Sequence, residues 1–157
     1  MDLWAVVPVK ELDRQFANWA TADAFDVMQT WIGRFGDEIE FVVSGNDAMA
    51  LGAVEALRSA GMITDTQIVP VVGVNALPEV ADLISGGIVL ASILTNPAEQ
   101  ARAALSLGRI AALTGDPYNK WTEGTEWELL PDRSVRVADT VITAENVQVA
   151  VDAYISS

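Results

Sequence analysis

The chain's 157 residues favour a single domain, and a 51% apolar composition gives it the material for a core. It has no cysteine and no histidine, which excludes disulfides, Cys/His zinc sites and nucleophilic systems built on Ser-His-Asp or Cys-His. A formal net charge of −13, from 22 acids against 9 bases, opposes nucleic acid and anionic membrane surfaces as partners, since both need clustered Lys and Arg.

Leu3 to Val9 reads as a buried strand, apolar and β-branched, with Pro8 near its end. Leu12 to Trp19 is open between a short strand and a loop. Ala22 to Phe35 reads as a helix, because Phe25, Met28, Trp31, Ile32 and Phe35 form an apolar stripe and Gly36 is placed to stop it. Ile39 to Ser44 is a strand, and Asp47 to Ala60 a helix stopped by Gly61. Ile68 to Val74 is a strand apolar on both faces, as a parallel strand covered by helices is. Pro78 to Ser85 is a short helix with Pro78 in its first turn, ended by Gly86-Gly87. Ile88 to Leu94 is the next strand. Asn96 caps and Pro97 opens a long helix through Leu113, closed by Gly115-Asp116-Pro117. Pro117 to Asp132 is polar and carries Trp121 and Trp127. Arg133 to Val141 reads as a strand and Ala144 to Ile155 as a last helix. This alternation predicts an α/β fold, a three-layer, mostly parallel sheet with helices on both faces.

Three of these strands end in an asparagine just before a helix: Phe41 to Asn46, Val71 to Asn75, and Val89 to Asn96. Residues at the carboxyl ends of parallel strands face one crevice, where open α/β sheets bind ligands. Asn is also a favoured helix N-cap, so Asn46 and Asn96 have a purely local explanation. Three amides at equivalent strand ends point further. An amide offers an acceptor and two donors at fixed spacing, which suits the vicinal hydroxyls of a neutral sugar. Trp19, before a helix start, can stack an indole on a pyranose face, whereas Trp4 and Trp31 fall on apolar faces and read as core.

Other chemistry finds little support. GxGxxG and GxxxxGK[ST] are both absent, and Gly33-Arg34-Phe35-Gly36 is a helix stop. The acidic groups Asp37, Glu38, Glu40 and Glu123, Glu126, Glu128 lie in loop-like sequence and read as charged surface, so no catalytic residue and no cofactor is expected. No apolar run approaches the ~20 residues of a membrane helix, so direct membrane insertion is not expected. Met1-Asp2-Leu3-Trp4 has an acid where a signal peptide carries positive charge. On these residues alone the protein is either cytoplasmic or has its export signal outside this chain.

From Asn46 to Leu57 the sequence NDAMALGAVEAL resembles the type I sugar-binding proteins of bacterial ABC transporters, in particular the galactose/glucose-binding branch. Pro70 to Glu79, PVVGVNALPE, is similar to the family's P-V-x-G-V-D-A-L-P-E run. Gly87 to Thr95 matches a following strand loosely. Ala17-Asn18-Trp19, Thr125-Glu126-Trp127 and Val135-Arg136-Val137 match further positions, so the resemblance runs from about Ala17 to Asn146. It implies one lobe of a type I periplasmic-binding-protein fold and a binding role without catalysis. Trp19 matches the tryptophan that stacks on the sugar, and Asn46, with Asp47 beside it, matches the amide that bonds its hydroxyls. Asn75 stands where galactose/glucose binders have an aspartate, and Thr95 where they have an asparagine; a one-residue shift gives that place to Asn96. Charge-assisted bonds are roughly twice as strong as neutral ones, so Asn75 implies weaker or altered sugar binding. Glu40 matches a glutamate that completes a calcium loop in some members, but the loop has no counterpart here, so no calcium is expected.

The resemblance also implies that this chain is the C-terminal lobe plus hinge elements of a two-lobed protein. The helix over 97–115 would then belong to the other lobe, leaving the face with Ala101, Leu105 and Ile110 in need of cover from a second copy or a separate lobe. It implies, too, an ABC permease as partner and a periplasmic or extracellular location. The effector-binding region of LacI-type transcription regulators shares this fold. That alternative calls for a basic helix-turn-helix, which the chain does not carry.

Overall fold

The computed structural model describes residues 9–116, 127–132 and 134–155. The strand read at Leu3 to Val9 (apart from Val9), the core assignment of Trp4, and the residues Trp121, Glu123, Thr125, Glu126 and Arg133 lie outside the described residues.

Helix α1 (Thr21–Phe35) ends at Gly36, whose φ of 51° and backbone N–H to Ile32 close the helix. A 3₁₀ turn, Gly36–Glu38, leads into β1 (Val42–Val43). Helix α2 (Asp47–Ser59) follows, then β2 (Val71–Val74). The stretch read as one short helix is a 3₁₀ turn, Pro78–Val80, running into α3 (Ala81–Ser85). Strand β3 (Val89–Leu94) leads to α4 (Pro97–Thr114). The strand expected at Arg133 to Val141 is instead two, β5 (Val135–Arg136) and β6 (Thr140–Ile142). β5 forms an antiparallel hairpin with β4 (Glu128–Leu129), and α5 (Val147–Ile155) closes the described chain.

The main sheet has the order β1-β2-β3-β6, the first three strands parallel and β6 antiparallel to β3. Each parallel connection steps the same way along the sheet. Right-handed crossovers that step in one direction lay their helices on one face. The burial follows: Val42, Val71, Leu94 and Ile142 are buried on that face with Met28, Leu57, Val80, Ile84 and Ala150. Val43, Ile93 and Val141, which pair or neighbour across the opposite face, are exposed. Among the described residues the expected helical cover is therefore complete on one face of the sheet and open on the other.

Trp31 is half-buried rather than enclosed, because its indole N–H reaches out to donate to Asp13 (3.1 Å). α1 and α2 pack closely: a Cβ added at Gly52 would lie 2.1 Å from the Thr21 carbonyl oxygen. α4 stands apart, with Ala103 its one buried side chain and Leu105 and Leu113 at 75% and 73% exposure.

Candidate functional site

Chain direction brings the carboxyl ends of β1, β2 and β3 to one edge of the sheet, and each runs into a helix or turn there. The first wall of the crevice is the turn before α1. Ala20 N–H donates to the Ala17 carbonyl (2.8 Å), closing a four-residue turn in which Asn18 (φ 47°) and Trp19 (φ 61°) are both left-handed. Asn18 Nδ2 donates to Asp23 Oδ2 (2.8 Å), tying this turn to the start of α1. The Trp19 ring lies over Gly45, where an added Cβ would meet it at 3.4 Å. The indole is nonetheless 69% exposed, so much of its apolar surface is open.

Asn46 sits beside it. Its Oδ1 accepts from the Met49 N–H (2.8 Å) as the N-cap of α2, and its Nδ2 donates to the Trp19 carbonyl (3.4 Å). The capping and site readings are both met in one side chain: the oxygen caps, and the amide nitrogen keeps a second N–H. Asn96 caps α4 in the same way, accepting from Glu99 N–H (3.2 Å), with φ at 20°. Asn75 caps nothing. It turns the chain with φ at 104°, followed by Ala76 at 52°, and its Nδ2 lies 3.5 Å from Thr95 Oγ1. The structure thus brings Trp19 to Asn46 and Asn75 to Thr95.

Asp47 lies behind these amides. The sequence reading places it on the ligand side; in the structure its carboxylate is fully buried. Oδ1 accepts from the Ser92 hydroxyl (2.7 Å) and Oδ2 from the Leu77 N–H (2.7 Å), while Ser92 Oγ accepts from the Ala76 N–H (2.9 Å). Burial pushes the Asp47 pKa up; the bonds from Ser92, Leu77 and Ala76 work against that rise, and the charge of Glu79 adds to it. Tyr154, on α5, donates its hydroxyl to the Asn75 carbonyl (2.9 Å), and its own pKa is raised by burial and by the charges of Asp47 and Glu79. Sequence reasoning missed Ser92 and Tyr154. The one available signal was Gly73 inside the valine run of β2, which has no Cβ because one would lie 2.0 Å from Asp47 Oδ1.

Two cavities, of about 70 and 290 Å³, flank α1 near Gln15, Val27 and Trp31, and neither is lined by Asn46, Asn75 or Thr95. The crevice groups form an open wall rather than an enclosed pocket. Among the described residues no cluster of three or more acidic side chains is arranged to hold a metal ion.

An exposed indole and uncharged amides thus gather at the carboxyl edge of a mostly parallel α/β sheet. Residues 4–117 match the periplasmic binding protein domain, and the chain belongs to that family. It is 35% identical over 130 residues to the D-galactose/methyl-galactoside binding periplasmic protein MglB of Haemophilus influenzae, a match covering 82% of this chain and 36% of that protein. Its fold is similar to the crystal structure of the Caulobacter myo-inositol binding protein bound to myo-inositol, with a TM-score of 0.72, 27% identity, and coverage of 93% of this chain and 44% of the other. It is also similar to an ABC transporter periplasmic solute binding protein from Actinobacillus succinogenes with bound D-allose, with a TM-score of 0.68, 26% identity, and coverage of 92% and 45%. The chain spans less than half the length of each.

Proposed function

We propose that this chain supplies one wall of a monosaccharide- or cyclitol-binding site in an ABC importer, working in the periplasm with a permease as partner, and that it binds without catalysing. The observation that carries the reading is Trp19: a large indole held open over Gly45, beside the Asn46 amide. Apolar stacking and a fixed amide together match a sugar ring, which has an apolar face and polar edges. Asn75 and Thr95 add neutral donors and acceptors on the neighbouring strand ends. Asn96, with its oxygen engaged in capping, lies at the edge of the site.

In this reading α4 belongs with a second lobe, which covers Leu105 and Leu113; a second copy of the chain covers the same face when that lobe is absent. The groups described lie on one wall, so the 157-residue chain alone is expected to bind weakly. Calorimetric titration with D-galactose, D-glucose, D-xylose and myo-inositol tests this. Saturable binding lost in Trp19→Ala supports the site. No heat with any of the four, even at millimolar ligand, sinks the sugar reading, and sub-micromolar affinity sinks the one-wall argument.

A further inference from the structure

The turn that carries Asn75 has no local reason to hold its shape. Asn75 and Ala76 are consecutive left-handed residues, and neither is glycine. Such residues persist only where their surroundings over-determine them. A left-handed turn of this kind aims successive N–H groups into a concavity that suits an anion. Here the N–H of Leu77 meets Asp47 Oδ2 at 2.7 Å, and the N–H of Ala76 meets Ser92 Oγ at 2.9 Å, whose hydroxyl passes on to Asp47 Oδ1 at 2.7 Å. Both Asp47 and Ser92 are fully buried. The carboxylate is pressed so close to β2 that only glycine fits at position 73.

We propose that Asp47 is a positioning residue: with Ser92, its buried carboxyl group is the internal hydrogen-bond acceptor that locks residues 75–77 in the left-handed turn and so presents the Asn75 amide to the ligand. This rests on the reading of the crevice as a sugar site. Asp47 also follows Asn46, the cap of α2, so one buried side chain ties the end of β1 to the ends of β2 and β3. The acid a ligand-side reading would give to the sugar is spent behind the wall, and the amides face outward.

The test uses the full chain and two readouts. Amide hydrogen exchange at Ala76 and Leu77, followed by NMR without ligand, reads the turn. Titration with D-galactose and with myo-inositol reads the site. Ser92→Ala should speed exchange at Ala76 by about tenfold, the effect of one lost hydrogen bond. Asp47→Ala should do the same at Leu77. Asp47→Asn, which keeps one acceptor, should restore Leu77 to within about threefold of wild type. Affinity should fall in the order Asp47→Ala, Ser92→Ala, Asp47→Asn, and Asn75→Ala should add little to Asp47→Ala, because the two act through one group. If Asp47→Ala does not fold, Ser92→Ala and Asp47→Asn carry the comparison. Unchanged exchange at Ala76 in Ser92→Ala overturns the proposal. So does equal acceleration at Val54 and Leu57 in the core of α2, which would mark a general loss of stability. If the wild type binds neither ligand, the sugar reading falls, and the exchange arm, which needs no ligand, still decides the positioning.

Discussion

Among the described glycines, the one set most tightly against neighbouring backbone gives the sharpest stability test. Gly52 lies on α2 against α1, and a Cβ placed there would meet the Thr21 carbonyl oxygen at 2.1 Å and the Phe25 nitrogen at 3.0 Å. Both contacted atoms are backbone, so no rotamer change relieves the clash. To regain the 3.4 Å of ordinary contact, the helices must separate by about 1.3 Å. That separation loosens the packing around Met28, Ala53 and Leu57, all buried. Overpacking of this kind costs ~1–3 kcal/mol, with the backbone clash favouring the upper end, while alanine's better helix propensity returns up to ~1 kcal/mol. We expect Gly52→Ala to lose about 2 kcal/mol, or about 4–8 °C in melting temperature for a chain of this size. Gly33→Ala is the control: nothing lies within 4 Å of a methyl placed there, so the propensity gain stands alone and the protein should gain ~0.5–1 kcal/mol. Urea unfolding of the two variants checks this. Gly52→Ala as stable as Gly33→Ala would refute the close-packing argument. Thr21 is two residues after Trp19, so the same shift should weaken ligand binding.

Trp19→Ala should change stability by less than ~1 kcal/mol, since the indole is mostly exposed, yet remove the ligand-induced change in tryptophan fluorescence; a large fall in melting temperature would show that the ring is structural. Asn46→Ala removes the cap of α2 and should cost ~1 kcal/mol by urea denaturation; no loss would mean the Met49 N–H bond contributes nothing. Asp47 has a folded pKa above its ordinary 3.8, so its stabilising contribution is complete below that value and is lost as pH rises through the folded pKa. The urea midpoint of the wild type, relative to Asp47→Asn, should therefore fall as pH rises above the ordinary 3.8, and a difference that stays constant with pH would contradict the raised pKa. The open faces predict self-association at micromolar concentration by size exclusion with light scattering, weakened when Leu105 and Leu113 are both changed to Glu; a clean wild-type monomer would count against it.

The helices were legible because their periodicity and stops are local: α1, α2 and α4 begin and end within a residue of the sequence reading. Strand lengths were less so. Ile39 to Ser44 shrinks to Val42–Val43, which among the described residues is an edge strand paired only with β2. The Ala17 to Ala20 turn was hidden because tryptophan is a poor left-handed residue, and Asn18 alone hinted at it. The burial of Asp47 was hidden for a different reason. The resemblance sets it beside Asn46, and its burial depends on Gly73 and Ser92, far along the chain.

Backbone strain points to the crevice independently of residue type. Among the described residues, the non-glycine positions with positive φ are Asn18, Trp19, Asn75, Ala76 and Asn96, and all of them lie in segments bearing a site residue. None is needed to connect the elements, since glycine would make each turn more cheaply. Each costs of order 1–3 kcal/mol unless its surroundings compensate. Those surroundings are specific. The Ala17–Ala20 bond and the Asn18–Asp23 contact close the first turn, Ser92 and Tyr154 bond the second, and the N-cap oxygen of Asn96 holds the third. A surface loop selected only to join strand to helix would relax to ordinary conformations. Strain kept in three separate loops at one edge of one sheet implies that the direction of the Trp19 and Asn75 side chains is what the fold preserves.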